Sequence, residues 1–152
     1  MKKTVYLTSD HAGYDTKIEI AKILENEGYK VVIEGATNAE TKTSYAEIGI
    51  QFAKQYIADK EKNKHLYVAL CGSGIGISIA LNRFKTIICA RVTSEEEARL
   101  AKLHNNANIL CFGGRLINAK DAVKMFHIWE TTEYEGGRHD SRIETLNTVG
   151  EN

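Results

Sequence analysis

The sequence predicts an α/β sandwich: a five-stranded parallel sheet with helices on both faces. Two observations carry this. Short apolar segments rich in β-branched and aromatic residues alternate with longer segments of helical period, and the reactive side chains fall just after the apolar segments. Strand–helix–strand alternation implies right-handed crossovers and a parallel sheet, and in such sheets ligands bind beyond the carboxyl ends of the strands.

Taken in order, Thr4 to Ser9 reads as the first, buried strand. Tyr14 to Glu27 reads as a helix with Ile18, Ala21, Ile23 and Leu24 as its apolar stripe, and Gly28 ends it. Lys30 to Ile33 is the second strand, Glu34 to Thr43 a loop, and Tyr45 to Asp59 a helix through Ile48, Phe52, Ala53 and Tyr56. His65 to Leu70 is the third strand, followed by the loop Cys71-Gly72-Ser73-Gly74 and a helix to about Asn82. Thr86 to Val92 is the fourth strand. A helix from Ser94 to about His104 follows, with Thr93 or Ser94 as cap and Glu95 to Glu97 at its positive end. Asn108 to Phe112 is the fifth strand, Asn118 to Thr131 a helix with Trp129 turned to the core, and Asp140 to Val149 the last helix.

Composition narrows the function classes. A length of 152 residues suggests one domain spanning residues 1–152. Lys plus Arg and Asp plus Glu both number 20, so no general basic field exists to hold nucleic acid or an anionic membrane, and any anion site must be a local cluster. The apolar runs are far shorter than a membrane span, and the start of the chain runs into a strand with no signal-peptide core, so a cytoplasmic location is expected. Cys71, Cys89 and Cys111 are odd in number and lack CxxC spacing, which argues against a disulfide framework or a zinc site. Cys89 and Cys111 sit in apolar runs and read as small buried hydrophobes; His65 and His127 read as structural. The absence of proline has no functional explanation in the sequence.

The chemistry gathers at the strand ends: Asp10-His11 after the first, Cys71 to Gly76 after the third and Gly113-Gly114-Arg115 after the fifth. Gly72, Gly74 and Gly76 let the backbone approach a ligand and turn its amides to it at a helix start, which suits a phosphate or a developing oxyanion. The same setting favours a Cys71 thiolate. The GxGxG spacing differs from the GxGxxG of dinucleotide sites, and the Gly-Lys-Ser/Thr of a phosphate loop is absent. His104-Asn105 suits acid–base work or hydroxyl recognition, or simply a helix C-cap. In Gly136-Gly137-Arg138-His139, with Arg142 four residues beyond Arg138, both arginines share a face if the helix begins near Arg138, and two guanidiniums converging on one anion would hold a phosphate.

Taken together, Asp10-His11-Ala12-Gly13, Cys71-Gly72-Ser73-Gly74-Ile75-Gly76, His104-Asn105, Gly113-Gly114-Arg115 and Gly136-Gly137-Arg138-His139 resemble the ribose-5-phosphate isomerase B family, which also holds allose- and galactose-6-phosphate isomerases. The resemblance runs from about residue 3 to about residue 149. It implies a Rossmann-like fold, a C-terminal helix used in dimerisation, no metal or other cofactor, and a homodimer or homotetramer with sites shared between subunits. The implied substrate is a small sugar phosphate, ribose 5-phosphate in exchange with ribulose 5-phosphate; a hexose 6-phosphate, or a binding role without catalysis, are the alternatives.

Carried over position by position, Cys71 is the base that moves a proton between C2 and C1, and the amides of Gly72, Gly74 and Gly76 hold the cis-enediolate. Ser73 passes a proton between O1 and O2, and His104, assisted by Asp10, opens the furanose ring. His11, Arg138 and Arg142 hold the phosphate, with Arg115 and His139 as further candidates, and Asn105 contacts sugar hydroxyls. Some members use a Glu base at the position of Ile77, so this chain resembles the cysteine branch. It departs from the family at Thr41-Lys42-Thr43, where Asp-Tyr-Pro is usual, though Tyr45 matches a second Tyr of that motif. It departs again at Thr86-Ile87-Ile88-Cys89, where Gly-Ile-Arg-Ala is usual, with Arg91 three residues on.

Overall fold

The computed structural model describes residues 2–152. Its five strands are β1 (Thr4–Ser9), β2 (Lys30–Gly35), β3 (His65–Cys71), β4 (Cys89–Arg91) and β5 (Ile109–Gly113). They form one sheet in the order β2-β1-β3-β5-β4, every neighbouring pair parallel. The helices are α1 (Tyr14–Asn26), α2 (Tyr45–Ala58), α3 (Ile75–Leu81), α4 (Glu95–Leu103), α5 (Ala119–Thr131) and α6 (Asp140–Leu146).

Because both faces of a parallel sheet are covered, its central strands are apolar throughout rather than alternating. Leu66 to Cys71 on β3 and Ile109 to Gly113 on β5 are buried without a break. One apolar layer joins Val5, Leu7, Ile20, Leu24, Val68, Leu110, Phe126 and Trp129; the other joins Phe52, Tyr56, Tyr67, Ile77, Leu81 and Cys111. Trp129 is core as expected, and its indole N–H donates to Ala107 O at 2.9 Å. His65 and His127 pair with Asp59 and Glu27 at 2.6 and 2.7 Å.

Most boundaries fall within a residue of the expected ones, and four of the differences have a visible cause. β2 runs to Gly35 because Ser9 on β1 stays in register with it. β3 takes in Cys71, which pairs with Gly113. β4 is three residues long where seven were expected, because Thr86 has a left-handed backbone (φ +71°) and the Asn108 side chain bonds Thr86 O and Ile88 N in place of a strand partner. α6 stops at Leu146 rather than Val149, and Gly150 turns the chain at φ +121°.

The helix starts follow from capping. Ser94 Oγ accepts the Glu97 N–H at 3.1 Å while Glu97 Oε1 reaches back to the Thr93 N–H and hydroxyl, so Ser94 rather than Thr93 is the cap. Hydrogen bonds from Thr93 hold the Glu97 carboxyl below its ordinary range. Ser44 and Asn118 cap α2 and α5 in the same way.

The inward stripe of α1 is rotated from the expected one: Lys17, Ile20, Ala21 and Leu24 are buried, while Ile18 and Ile23 are half-buried. Lys17 is fully enclosed, and its ammonium donates to Glu34 O and Ala36 O, both at 2.7 Å. It thereby ties α1 to the turn at Gly35 (φ +80°), where an added β-carbon would lie 2.4 Å from Ser9 O. Burial lowers the Lys17 pKa to about 8, partly opposed by the Asp10 carboxylate.

Lys17→Met leaves two buried carbonyls without donors and is expected to cost roughly 2–4 kcal/mol of unfolding free energy. Because the native amine loses its proton near pH 8 and the unfolded one near its ordinary value, the unfolded chain binds more protons in between, and Lys17 adds stability as pH rises through that window. The wild-type advantage over Lys17→Met, measured by urea unfolding, is therefore expected to widen between about pH 8 and about 10.5. A constant or shrinking gap would refute the charged, enclosed state.

Candidate active site

The sheet order places β1, β3 and β5 side by side, so the loops leaving their carboxyl ends meet. A cleft of about 600 Å³ opens there, lined by Asp10, His11, Ala12, Tyr45, Cys71, Gly72, Ser73, Ile75, Gly76, Ile79, Arg115 and Leu116. Seven of the thirteen site residues read from sequence, Asp10, His11, Cys71, Gly72, Ser73, Gly76 and Arg115, thus share one cavity.

Each is placed by a local rule. Asp10 caps the short turn His11–Gly13, accepting Gly13 N–H at 3.0 Å. Gly13 allows the turn to lie on β3, since a β-carbon there would come within 2.9 Å of Leu70 Cβ. His11 is held from the departing loop segment: its backbone N–H donates to Thr43 Oγ1 at 2.9 Å, and its Nδ1 receives the Thr43 N–H at 3.1 Å. An Nδ1 that accepts leaves the ring proton of neutral His11 on Nε2, free to donate to an anion.

Cys71 ends β3 and is buried apart from a small aperture. Its Sγ receives the Gly74 N–H at 3.1 Å. Gly74, at φ +78°, packs its backbone on Phe112 and Gly113, where a β-carbon would approach to 2.8 Å; one on Gly113 would come within 2.6 Å of Ser73. Gly74 therefore supports the cleft from below rather than lining it. Beyond it α3 begins, and the Tyr45 ring lies over Gly76. The loop is pinned from behind by Arg91 Nε on Ser73 O at 3.1 Å and by the Cys111 thiol on Gly74 O at 3.2 Å. Burial, reinforced by Cys89, pushes the Cys111 thiol well up, which keeps it a protonated donor.

His104, Asn105, Arg138, His139 and Arg142 are not in this cleft. Parallel crossovers carry α4 and α5 back to the amino ends of the strands, so His104, which follows α4, lies on the opposite side of the sheet. There the His104 and His139 rings stack with centroids 4.5 Å apart, and His139 Nε2 pairs with Glu135 Oε2 at 2.8 Å. The His139 hydrogen bond holds the Glu135 carboxyl below its ordinary range, helped by Arg138. The ligand atoms of His104, Glu135 and His139 lie within 4.8 Å of one another, yet near-parallel stacked rings do not point their lone pairs at a common ion. Gly136 and Gly137, at φ +70° and +60°, form the preceding turn. Arg138 sits in the short turn Gly137–His139 and α6 begins only at Asp140, so Arg138 and Arg142 do not share one α-helix as the spacing suggested. Arg138 and Arg142 are exposed.

Glu135 and Thr43 were not picked out as site residues by the sequence. Glu135 carried a detectable signal, its spacing of four from His139; Thr43 carried only its place in the stretch that departs from the family, its partner being 32 residues away.

Comparison with known proteins agrees with this architecture. The model of the Ribose/Galactose Isomerase family matches residues 5–146. Ribose-5-phosphate isomerase B of Escherichia coli (strain K12) is 34% identical over 98% of this chain and 97% of its own length. The probable ribose-5-phosphate isomerase B of Mycoplasma genitalium is 31% identical over 96% of this chain and 95% of its own. The crystal structure of a ribose 5-phosphate isomerase from Thermotoga maritima superposes with a TM-score of 0.90 at 32% identity, covering 98% of this chain and 100% of that one. The Mycoplasma genitalium enzyme with bound ribulose-5-phosphate gives 0.86 at 30% identity, covering 95% and 94%. With a family model spanning nearly its whole length and relatives above 30% identity, the chain belongs to the ribose/galactose isomerase family and resembles its ribose-5-phosphate isomerase B members.

Proposed function

We propose that this chain interconverts ribose 5-phosphate and ribulose 5-phosphate through a cis-enediolate, with Cys71 as the base. The observation that carries the proposal is Cys71 Sγ at the floor of the cleft, receiving the Gly74 N–H at the carboxyl end of a central strand. The relatives named for that reaction, one of them holding ribulose-5-phosphate, support the choice of a pentose phosphate.

In the open-chain aldose the Cys71 thiolate removes the proton on C2. The C2–H electron pair becomes the C1–C2 double bond, and the carbonyl pair moves to O1. The resulting anion meets the backbone amides of the glycine loop, the type of fixed donor that stabilises charge as it develops. Ser73 passes the O2 proton to O1, and the Cys71 thiol returns its proton to C1, leaving the ketone at C2. Nothing outside the sugar is oxidised or reduced. His11, with its Nε2 proton turned outward, and Arg115 hold the phosphate from within the cleft.

Ring opening and the rest of the phosphate binding are assigned to a second copy of the chain. His104, Asn105, Arg138, His139 and Arg142 lie on the far side of their own sheet, so they reach a cleft only in another subunit. Tyr45, Ile75, Ile79 and Leu116 are about half or more exposed around the cleft mouth, an apolar rim fitted to such a contact.

Ribose 5-phosphate in heavy water, followed by NMR, is expected to convert to ribulose 5-phosphate, with solvent deuterium at C1 in the fraction of turnovers in which the Cys71 thiol exchanges before returning its proton. Cys71→Ala should bind the sugar yet turn over about 10²–10⁴-fold more slowly, the usual worth of a positioned base. Near-normal turnover in that variant removes Cys71 from the role, and much faster turnover of allose or galactose 6-phosphate removes the pentose.

The division of the site has its own test. Cys71→Ala and Arg142→Ala proteins, each weak alone, are expected to regain activity when mixed and allowed to exchange subunits, because hybrid assemblies contain one intact site. No recovery after demonstrated exchange would mean that each site is built from one chain.

A further inference from the structure

We propose that Arg91 is a positioning residue for Cys71, acting through the single peptide group that joins Ser73 to Gly74; this deepens the proposed function and rests on its assignment of Cys71 as the reacting thiol. The two ends of that peptide are engaged in opposite directions. Its carbonyl oxygen accepts the Arg91 Nε–H at 3.1 Å, and its N–H, that of Gly74, donates to Cys71 Sγ at 3.1 Å. A peptide group is a planar conjugated unit, so a cation on its oxygen draws density from its nitrogen and makes the N–H a stronger donor. A guanidinium carries its charge at every relevant pH, so this polarisation is permanent.

Arg91 reaches the peptide from behind. It does not line the cleft but an adjoining cavity of about 200 Å³ with Val92, Thr93, Asp121 and Met125, the two sharing Leu116. It is set there by register, since Arg91 pairs with Cys111 across β4 and β5, and its charge helps hold the Glu97 carboxyl of α4 below its ordinary range. The Cys111 thiol holds the next carbonyl, that of Gly74, so both peptides flanking Gly74 are fixed in orientation. The arrangement strengthens the hydrogen bond to a Cys71 thiolate while keeping the extra positive charge outside the space where an anionic sugar would sit.

The test is the rate at which iodoacetamide alkylates Cys71 at neutral pH, read by mass spectrometry of its peptide, since the thiolate is the reacting form. All three thiols are buried, but Cys71 lines the cleft and Cys89 and Cys111 do not, so these two serve as internal controls. Arg91→Met is expected to slow Cys71 alkylation roughly 3–10-fold and to lower kcat similarly at unchanged KM, through loss of one charge-assisted bond in a chain. The Gly74 amide proton should move upfield in nitrogen-edited NMR. Arg91→Lys, which keeps a cationic donor, is expected to restore most of the alkylation rate and guards against a folding defect in the Met variant. Wild-type alkylation in Arg91→Met, or equal loss in the Lys and Met variants, overturns the inference. Slowed alkylation with kcat unchanged would leave the Arg91 coupling standing and defeat Cys71 as the base.

Discussion

The site depends on a contact between two backbones with nothing between them. The turn after β3 rests on the end of β5 at Gly74 and Gly113, and a single β-carbon on either would press into the opposite main chain. That approach lets the Cys111 thiol reach Gly74 O and puts Ser73 O within range of Arg91, while the turn itself brings the Gly74 N–H to Cys71. Open the contact by an ångström and both bonds across it would exceed hydrogen-bonding length together. Packing density in the core and chemistry at the rim are therefore one constraint, because the strands that set the spacing are the buried ones.

Around this contact the molecule uses short-range rules to place long-range partners. Asp10 acts locally, as the cap of a three-residue turn, and in doing so presents His11 to the cleft. Lys17 acts at a distance, holding the end of β2 through two carbonyls. The loop that follows supplies Thr43, which fixes the face His11 shows. One buried cation thus lies two steps behind a residue assigned to bind phosphate, with backbone and the Thr43 hydroxyl as the intermediary.

Much of this was legible in the sequence. Five strands, their helices and the carboxyl-end cleft follow from periodicity and chain order, and the motifs carried the family. What was not legible shares a physical cause. Thr86 turns left-handed because Asn108, 22 residues on, replaces its strand partner. Lys17 faces inward because two carbonyls after β2 need a donor, and an apolar-stripe count reads a lysine as a solvent residue. The bond from Arg91 to Ser73 O spans 18 residues and involves a main-chain oxygen that every residue type carries. Side-chain bonds to distant backbone leave no period and no motif. The separation of His104 from the cleft was likewise invisible in motif order, yet follows at once from the direction in which a crossover helix runs.

The edges of the sheet carry a consequence for how copies of the chain can meet. One edge, β4, offers only Cys89–Arg91, and the other, β2, carries Lys30 and Glu34 and mixes exposed with half-covered residues. Short or charged edges are poor templates for strand addition. Growth of the sheet from one molecule into the next is thus discouraged at both ends, and encounters are directed to helices and loops, where the cleft mouth and the stacked histidines already lie.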